Sequence, residues 1–498
     1  MKKSTLLLII IISVILIIAA VPRSVEVFSQ NFIFGYDQGK HWLAAKSIVI
    51  DHKFPLIGDE VGGARGFFQG SGWFYLLAVP FLLFQGNPYG GIVLMFLIGM
   101  MMVIGALWLF ARNFGVKKAL VIGLCFALSP VFIEISRFAW PPYVIPPLMV
   151  VYLYCVYRII KAEYIYIPIL SFVVGMMAHF EIATAGTLLI TTICMGLPYI
   201  LWKKVPFRYI AWSGLAFIIP LTPLIIFDLR HDFLNIRGVI ATFFGPSQNG
   251  LPRSDMTHTF ANHWLIFSSD FFRAFQVKYL TKIGSLVVLL LGIPLLWNKR
   301  IEKHERTFVA FLYAFPAVLF IVLMAYRNDL WGWWILELPV VSCILLGLVL
   351  SNMWTRKQIV WRIIVVAAIA LMFAGYLRSA INFWDYDYKD YGGTHKMRGK
   401  SDAIDFIFSD AKSKNFGLFV FAPPIYTYPY DFILWWKGRM YGYQPPQEKK
   451  QTYYLLAEPD PEKPWTYKGW METAVTGGTD IQTWTLPSGF IVVKRSMP

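Results

Sequence analysis

One carboxylate, Asp37, stands just past the first apolar run, at the head of a polar and aromatic stretch from Phe34 to Tyr89. A positioned carboxylate can take the proton of a hydroxyl as its oxygen attacks carbon, which makes Asp37 the candidate catalytic residue, a general base. Other polar side chains fall at the ends of apolar runs on the same side: Asp59, Glu60, Arg65, Glu134, Arg137, His179, Glu181, Asp228, Arg230, His231, Asp232 and Arg327, with Glu337 slightly inside a run. Ionisable groups at membrane depth are costly and mark functional candidates. A single one of them more often only meets water at the end of a span, so the signal is their convergence from many runs on one face. Among the cations, Arg65, Arg230, His231 and Arg327 could hold an anion where negative charge builds up in a reaction. Asp59, Glu60, His179, Glu181 and Glu337 are candidate substrate-binding groups. Asp37 also has a structural reading, because Asp is a favoured N-cap and Trp42, Ala45 and Val49 follow it at helical spacing.

The elements that must carry these groups are membrane spans. The chain has 498 residues, 57% of them hydrophobic, and a mean hydropathy of +0.55. Soluble domains are apolar to about 45–50%. Apolar runs of roughly 17–25 residues recur, about eleven in all, which predicts a polytopic helical membrane protein. The first run, Leu6 to Val21, follows Lys2 and Lys3 and exceeds the usual signal-peptide core of about 7–15 residues, so it reads as an uncleaved anchor. The net charge of +16 is concentrated in short loops: Arg112, Lys117 and Lys118; Arg158 and Lys161; Lys203, Lys204 and Arg208; Lys299 to Arg306; Arg356 to Arg362. That placement is the positive-inside signal. It predicts a cytoplasmic N-terminus, puts Asp37 outside, and argues against nucleic acid as a partner. Trp73 to Phe84 reads as a surface helix, because counting it as a span would put every basic loop outside. The segment Asn235 to Lys282, with its aromatic stretch Phe260 to Phe275, reads as interfacial or re-entrant.

After Arg378 the composition becomes mixed. Residues 1–378 are expected to form the transmembrane catalytic domain, with surface helices in the first external loop, 23–89, and 379–498 a small external α/β domain. In the latter, Ser401 is expected to cap a helix to about Ala411, and Phe416–Phe421, Thr452–Leu456 and Phe490–Val493 read as strands. The stretch GGTHKMRGKS at 392–401 imitates a P-loop, but Thr394 stands where the first Gly is required and no strand precedes it. Cys125, Cys155, Cys194 and Cys343 lie in apolar runs with neither disulfide nor metal spacing. No cofactor is called for; a divalent metal is compatible with the acids but is not indicated.

Several stretches resemble the GT-C superfamily of integral-membrane glycosyltransferases, most closely the bacterial relatives of protein O-mannosyltransferases and lipid A aminoarabinose transferases. They are YDQGKHWLAAKSIV, PLIGDEVGG and WFYLLAVPFLLF in the first loop, ALSPVFIEISRFAWPPYVIPPL at 127–148, GMMAHFEIATAG at 175–186 and LTPLIIFDLRHDF at 221–233. The resemblance implies a plasma (inner) membrane enzyme that transfers a hexosyl or pentosyl group from a polyprenyl-phosphate donor to a lipid, polysaccharide or protein hydroxyl. It implies that Asp37 is the first-loop catalytic aspartate. The phosphate leaves readily, so one base suffices in an inverting transfer, and the four cations become candidates for holding the departing phosphate. Where many members carry Asp-Glu, this chain has Asp37-Gln38; where many carry an acid after the third span, it has Trp140, Pro141 and Pro142; where relatives often carry a Gln and a His at the end of span five, it has His179 and Glu181. The alternatives from other classes are a transporter or flippase, or a ligase or polymerase, for lipid-linked saccharides. A transporter predicts internal repeats and broken helices at mid-membrane, and the sequence shows no repeat.

Overall fold

The computed structural model describes residues 3–62, 66–244, 254–273, 280–299, 301–412, 414–423 and 426–498. Among them, eight helices are long and apolar enough to cross a membrane: Thr5–Arg23, Tyr89–Phe114, Pro141–Ile160, Ile182–Lys203, Phe207–Arg230, Lys303–Leu323, Glu337–Trp354 and Ile359–Asp387. A ninth is formed if Val116–Leu128 and Pro130–Arg137, bent by 64° at their junction, count as one. Three shorter apolar helices, Gly72–Leu83, Tyr166–Met177 and Ser285–Trp297, complete the set. Every run read as a span from sequence falls on one of these helices. The bend follows from Pro130, which lacks an N–H and disfavours a helical residue before it; Ser129 is extended, with ψ at 119°.

The chain divides into two compact units. The first comprises Met1–Arg23, Pro55–Trp73 and Met95–Ile381. Its centre is the helix Glu337–Trp354, buried along nearly its whole length. A helix apolar all round is covered by protein or by lipid, and this one is covered by protein. Gly347 lets it approach Val116–Leu128 closely, since a Cβ there would lie 2.9 Å from the Ile122 Cα. Arg23 is completely buried at the end of the first helix. Its guanidinium donates to the carbonyls of Ala19 (2.8 Å), Phe126 (3.1 Å) and Ala127 (3.3 Å), and the last two are helix-end acceptors that no main-chain N–H satisfies. Two short strands, β1 (Ile57–Glu60) and β2 (Phe68–Gly70), pair antiparallel.

The second unit comprises Ser24–Phe54, Phe74–Leu94 and Asn382–Pro498. It holds a four-stranded sheet in the order β3-β4-β6-β5, made of β3 (Gly417–Phe421), β4 (Thr452–Ala457), β5 (Thr479–Thr485) and β6 (Ile491–Ser496). β3 and β4 are parallel and joined by the helix Tyr428–Tyr441, as a parallel pair requires, and the other pairings are antiparallel. The helix expected to follow a cap at Ser401 begins at Met397 and runs to Ala411. The segment after the first span is sewn into this unit: the Phe34 N–H donates to the His395 carbonyl (3.1 Å) and the Met397 N–H to the Phe32 carbonyl (2.8 Å). Asn31 donates to the carbonyls of Asp390 and Tyr391.

The helix Tyr36–Val49 packs on Tyr428–Tyr441 through Gly39, where a Cβ would stand 2.3 Å from the Pro429 nitrogen. Trp42, Phe81, Phe432 and Trp435 fill the space beside that contact, with ring centroids 5.6–6.3 Å apart. Main chain cannot move aside as a flexible side chain can, so Gly39→Val is expected to destabilise this unit by about 1–3 kcal/mol or more. A lowered thermal midpoint in detergent would report it. Gly105→Ala, where nothing lies within 4 Å, is the control and should not lower the midpoint.

Candidate functional site

Asp37 lies in the first turn of Tyr36–Val49 and is half-buried. The helix is capped one step earlier. Gly35 is the N-cap, and its N–H donates to the Gln38 Oε1 at 3.1 Å. Gln38 thus does half of a capping-box job, reaching back from the third helical position to the cap. This gives the glutamine beside Asp37 a structural role and relieves Asp37 of the cap. A carboxylate in the first turn still gains from the helix dipole, by about 0.3–1 kcal/mol. The buried face is Gln38, Gly39, His41, Trp42, Ala45 and Ile48, and Asp37 lies off it.

In the first unit, the strand pair β1–β2 and its turn are held at three points. Glu60 accepts the Gly66 N–H through Oε1 at 2.6 Å. Asn235 acts as a piece of strand: its Oδ1 accepts the Phe68 N–H (2.7 Å), and its Nδ2 donates to the Phe68 carbonyl (3.3 Å). The Asn235 N–H in turn donates to the Asp228 Oδ1 at 2.6 Å. On the other side, the Gly70 N–H donates to the Ala178 carbonyl, and the Gly72 N–H donates to the His179 Nδ1 at 3.0 Å. With Nδ1 accepting, the His179 Nε2 carries the proton and donates to the Pro220 carbonyl at 2.6 Å. Both ring nitrogens are therefore spent on main chain, and His179 positions this turn instead of offering a hydrogen bond to substrate. Burial lowers its pKa, consistent with a neutral ring. Arg65 lies outside the described residues. Asp59 sits in β1, half-buried.

Arg230 and Arg327 are exposed, and their guanidinium groups have no hydrogen-bond or ion-pair partner among the described residues. His231 is also exposed; its ring stacks on Phe227 at 4.2 Å, and its Nδ1 donates to the Phe227 carbonyl at 2.8 Å, leaving Nε2.

Glu181 and Glu337 come together. Glu181 caps the helix Ile182–Lys203, accepting the Ala183 N–H at 3.3 Å. Thr184, three residues on, donates to the Trp334 carbonyl (2.8 Å) in the short turn before Glu337. Glu337 is completely buried, and neither carboxylate oxygen has a hydrogen-bond partner among the described residues. Glu181 and the buried Asp270 are near enough to act on it electrostatically. No group of three or more His, Cys, Asp or Glu among the described residues is arranged to hold a metal ion.

Burial pushes the Glu181 carboxyl up to about 8, against 4.5 in the open chain. Its contribution to stability is full below 4.5 and is lost as pH rises towards 8, because the unfolded chain ionises first. Glu181→Gln keeps the cap and cannot ionise, so its thermal midpoint is expected to exceed the wild type's at pH 8.5 and match it near pH 4.5. An equal difference at both pH values would contradict the assignment. His179 acts in the opposite sense: its contribution is full above about 6.5 and is lost as pH falls.

No protein-family model matches the chain, and no curated protein matches its sequence. Solved structures do. ArnT from Cupriavidus metallidurans bound to undecaprenyl phosphate superposes with a TM-score of 0.62 over 99% of this chain and 98% of ArnT, at 11% identity. Its apo state gives 0.61, with the same coverage of each chain, at 12% identity. The chain has the GT-C fold. It is a multi-pass helical membrane protein of that architecture with a small C-terminal sheet region.

Within the GT-C fold, several positioning residues carry no signal in the sequence pattern. Asn235 and Phe68 are 167 residues apart, so nothing local announces their pairing. Asp270 falls in the amphipathic helix Met256–Arg273, where an acid reads as a solvated face. Arg23 reads as a flank of the first span.

Proposed function

We propose that this protein is a membrane glycosyltransferase that moves a hexosyl or pentosyl group from a polyprenyl-phosphate donor to an acceptor hydroxyl, with inversion. The observation that carries the reading is the overlap over 99% of the chain with a structure that holds undecaprenyl phosphate. Asp37 takes the acceptor proton as the new C1–O bond forms and the C1–O bond to phosphate breaks. The polyprenyl phosphate leaves with the electron pair, stabilised by cations drawn from Arg65, Arg230, His231 and Arg327. Asp59, Glu60, Glu181 and Glu337 are assigned to the sugar hydroxyls or to the placing of the loop that meets them, and His179 to positioning. The test is to incubate the purified protein with short-chain polyprenyl-phosphate sugars and membrane-derived acceptors. Protein-dependent release of polyprenyl phosphate and an inverted anomeric centre in the product are expected. A retained anomer, or use of nucleotide sugars in place of the lipid, overturns it.

The basic loops assign the chemistry to the external face of the plasma membrane, with residues 379–498 on that side. A Ser409→Cys variant is expected to react with an impermeant maleimide added to intact cells, and Lys303→Cys only after lysis. Labelling of Lys303→Cys from outside intact cells would reverse the orientation.

A further inference from the structure

The second unit contains a cavity of about 230 Å³ whose floor is a buried charged network. The Lys400 Nζ donates to the Tyr430 hydroxyl at 3.0 Å and to Glu458 at 3.1 Å, and the Tyr430 hydroxyl donates to the same carboxylate. Lys400 is 2% exposed, Tyr430 0% and Glu458 8%. Lys400 is the residue that imitated a P-loop lysine in the sequence, and here it lies inside the helix Met397–Ala411. A buried ion pair contributes little net stability, because desolvation offsets the attraction. One that lines a cavity does something an apolar core cannot, since an ammonium has three N–H donors and, among the described residues, two are given to Tyr430 and Glu458. The mouth is aromatic. Tyr36 packs against Tyr426 (5.4 Å) and Tyr428 (5.2 Å), and Tyr426 is more than half exposed. Pro429 lines the wall.

We infer that this cavity is a saccharide-binding subsite for the acceptor, which rests on the glycosyltransferase reading above. Three observations select a neutral sugar ring. Lys400 and Glu458 neutralise each other, so this pair, beside the His395 that also lines the cavity, presents donors and acceptors with no net charge of its own, which suits hydroxyls. The tyrosine and proline faces at the mouth suit the C–H face of a pyranose, an apolar surface carried by a polar molecule. The volume is on the scale of one ring, too small for an extended peptide. Position adds the link to chemistry. Gly35 and Tyr36 line the cavity and immediately precede Asp37, so a sugar seated here lies at the first turn of the helix that carries the base.

The test is saturation-transfer NMR on the full-length protein in detergent, with a panel of methyl hexopyranosides and pentopyranosides, inorganic phosphate, and a Ser- and Pro-containing peptide. At least one glycoside should receive magnetisation from the protein's aromatic protons. That binding should weaken about tenfold in Tyr426→Ala, which removes an exposed ring contact and leaves the floor intact. Lys400→Met should weaken it as well, while Asp37→Asn should leave it in place. Glycoside binding that is indifferent to Tyr426→Ala, or binding of phosphate or peptide alone, overturns the inference. The readout needs no sugar transfer: if Tyr426-dependent glycoside binding is present and no polyprenyl-phosphate sugar is consumed, the subsite stands and the transferase reading falls.

Discussion

Asp37→Asn is expected to slow sugar transfer by at least about a hundredfold while leaving the protein folded and able to bind the lipid donor. The structure sharpens the expectation. Asn caps a helix about as well as Asp, so this replacement would have spared the fold even at an N-cap. Here the cap is Gly35, and its N–H is satisfied by Gln38. Asp37 is off the buried face, and Asn in its place gives up the first-turn charge, worth about 0.3–1 kcal/mol against the helix dipole. Asn cannot accept a proton from a hydroxyl, and a positioned base is typically worth about a hundred- to ten-thousand-fold. The measurement is the single-turnover transfer rate, with the thermal midpoint and donor affinity of the same preparation as controls. Near-normal transfer would remove Asp37 from the mechanism and move the search to Asp59, Glu60 or Glu181.

The spans were legible because the membrane demands long apolar runs, and such runs survive any detail of packing. What was not legible depends on contacts distant in sequence. The Tyr36–Val49 helix shows Trp42, Ala45 and Val49 as its apolar face, yet it buries Gln38, Gly39, His41 and Ile48 beside Trp42 and Ala45. Polar residues enter a buried face when a partner or a close backbone contact is there to receive them, and sequence periodicity cannot see Pro429. Three strands of the sheet were read from their apolar runs. β5 was not, because TDIQTWT is exposed along nearly its length and has no core face to impose alternation. The helix start at Met397 was missed by five residues for a similar reason, since Lys396 at the cap gives no capping signal and Ser401 gives a false one. At the candidate site, residue types were visible and commitments were not. His179 looks like a free imidazole in sequence, and only the fold shows both nitrogens already taken.

At least one of Arg65→Ala, Arg230→Ala and Arg327→Ala is expected to weaken binding of polyprenyl phosphate by about ten- to a hundredfold, the worth of one charged hydrogen bond of roughly 1.5–3 kcal/mol. For Arg230 and Arg327 the structure separates this from stability. Both are exposed and their guanidinium groups have no partner among the described residues, so truncation breaks no ion pair and opens no cavity. Arg230 ends the helix Phe207–Arg230, where a cation gains about 0.3–1 kcal/mol from the dipole. Arg230→Lys keeps that term and loses the planar fork that can hold two phosphate oxygens at once. A phosphate ligand at this position should therefore show lipid affinity in the order Arg, Lys, Ala, while the thermal midpoint separates only Ala from the other two. His231 is expected to contribute less, because its Nδ1 is held by the Phe227 carbonyl and only Nε2 remains. Titration of each variant with undecaprenyl phosphate in detergent, read by tryptophan fluorescence, gives the affinities. If all three alanine variants bind the lipid like wild type, the leaving phosphate is held by other groups, and the four-cation assignment is wrong as a whole.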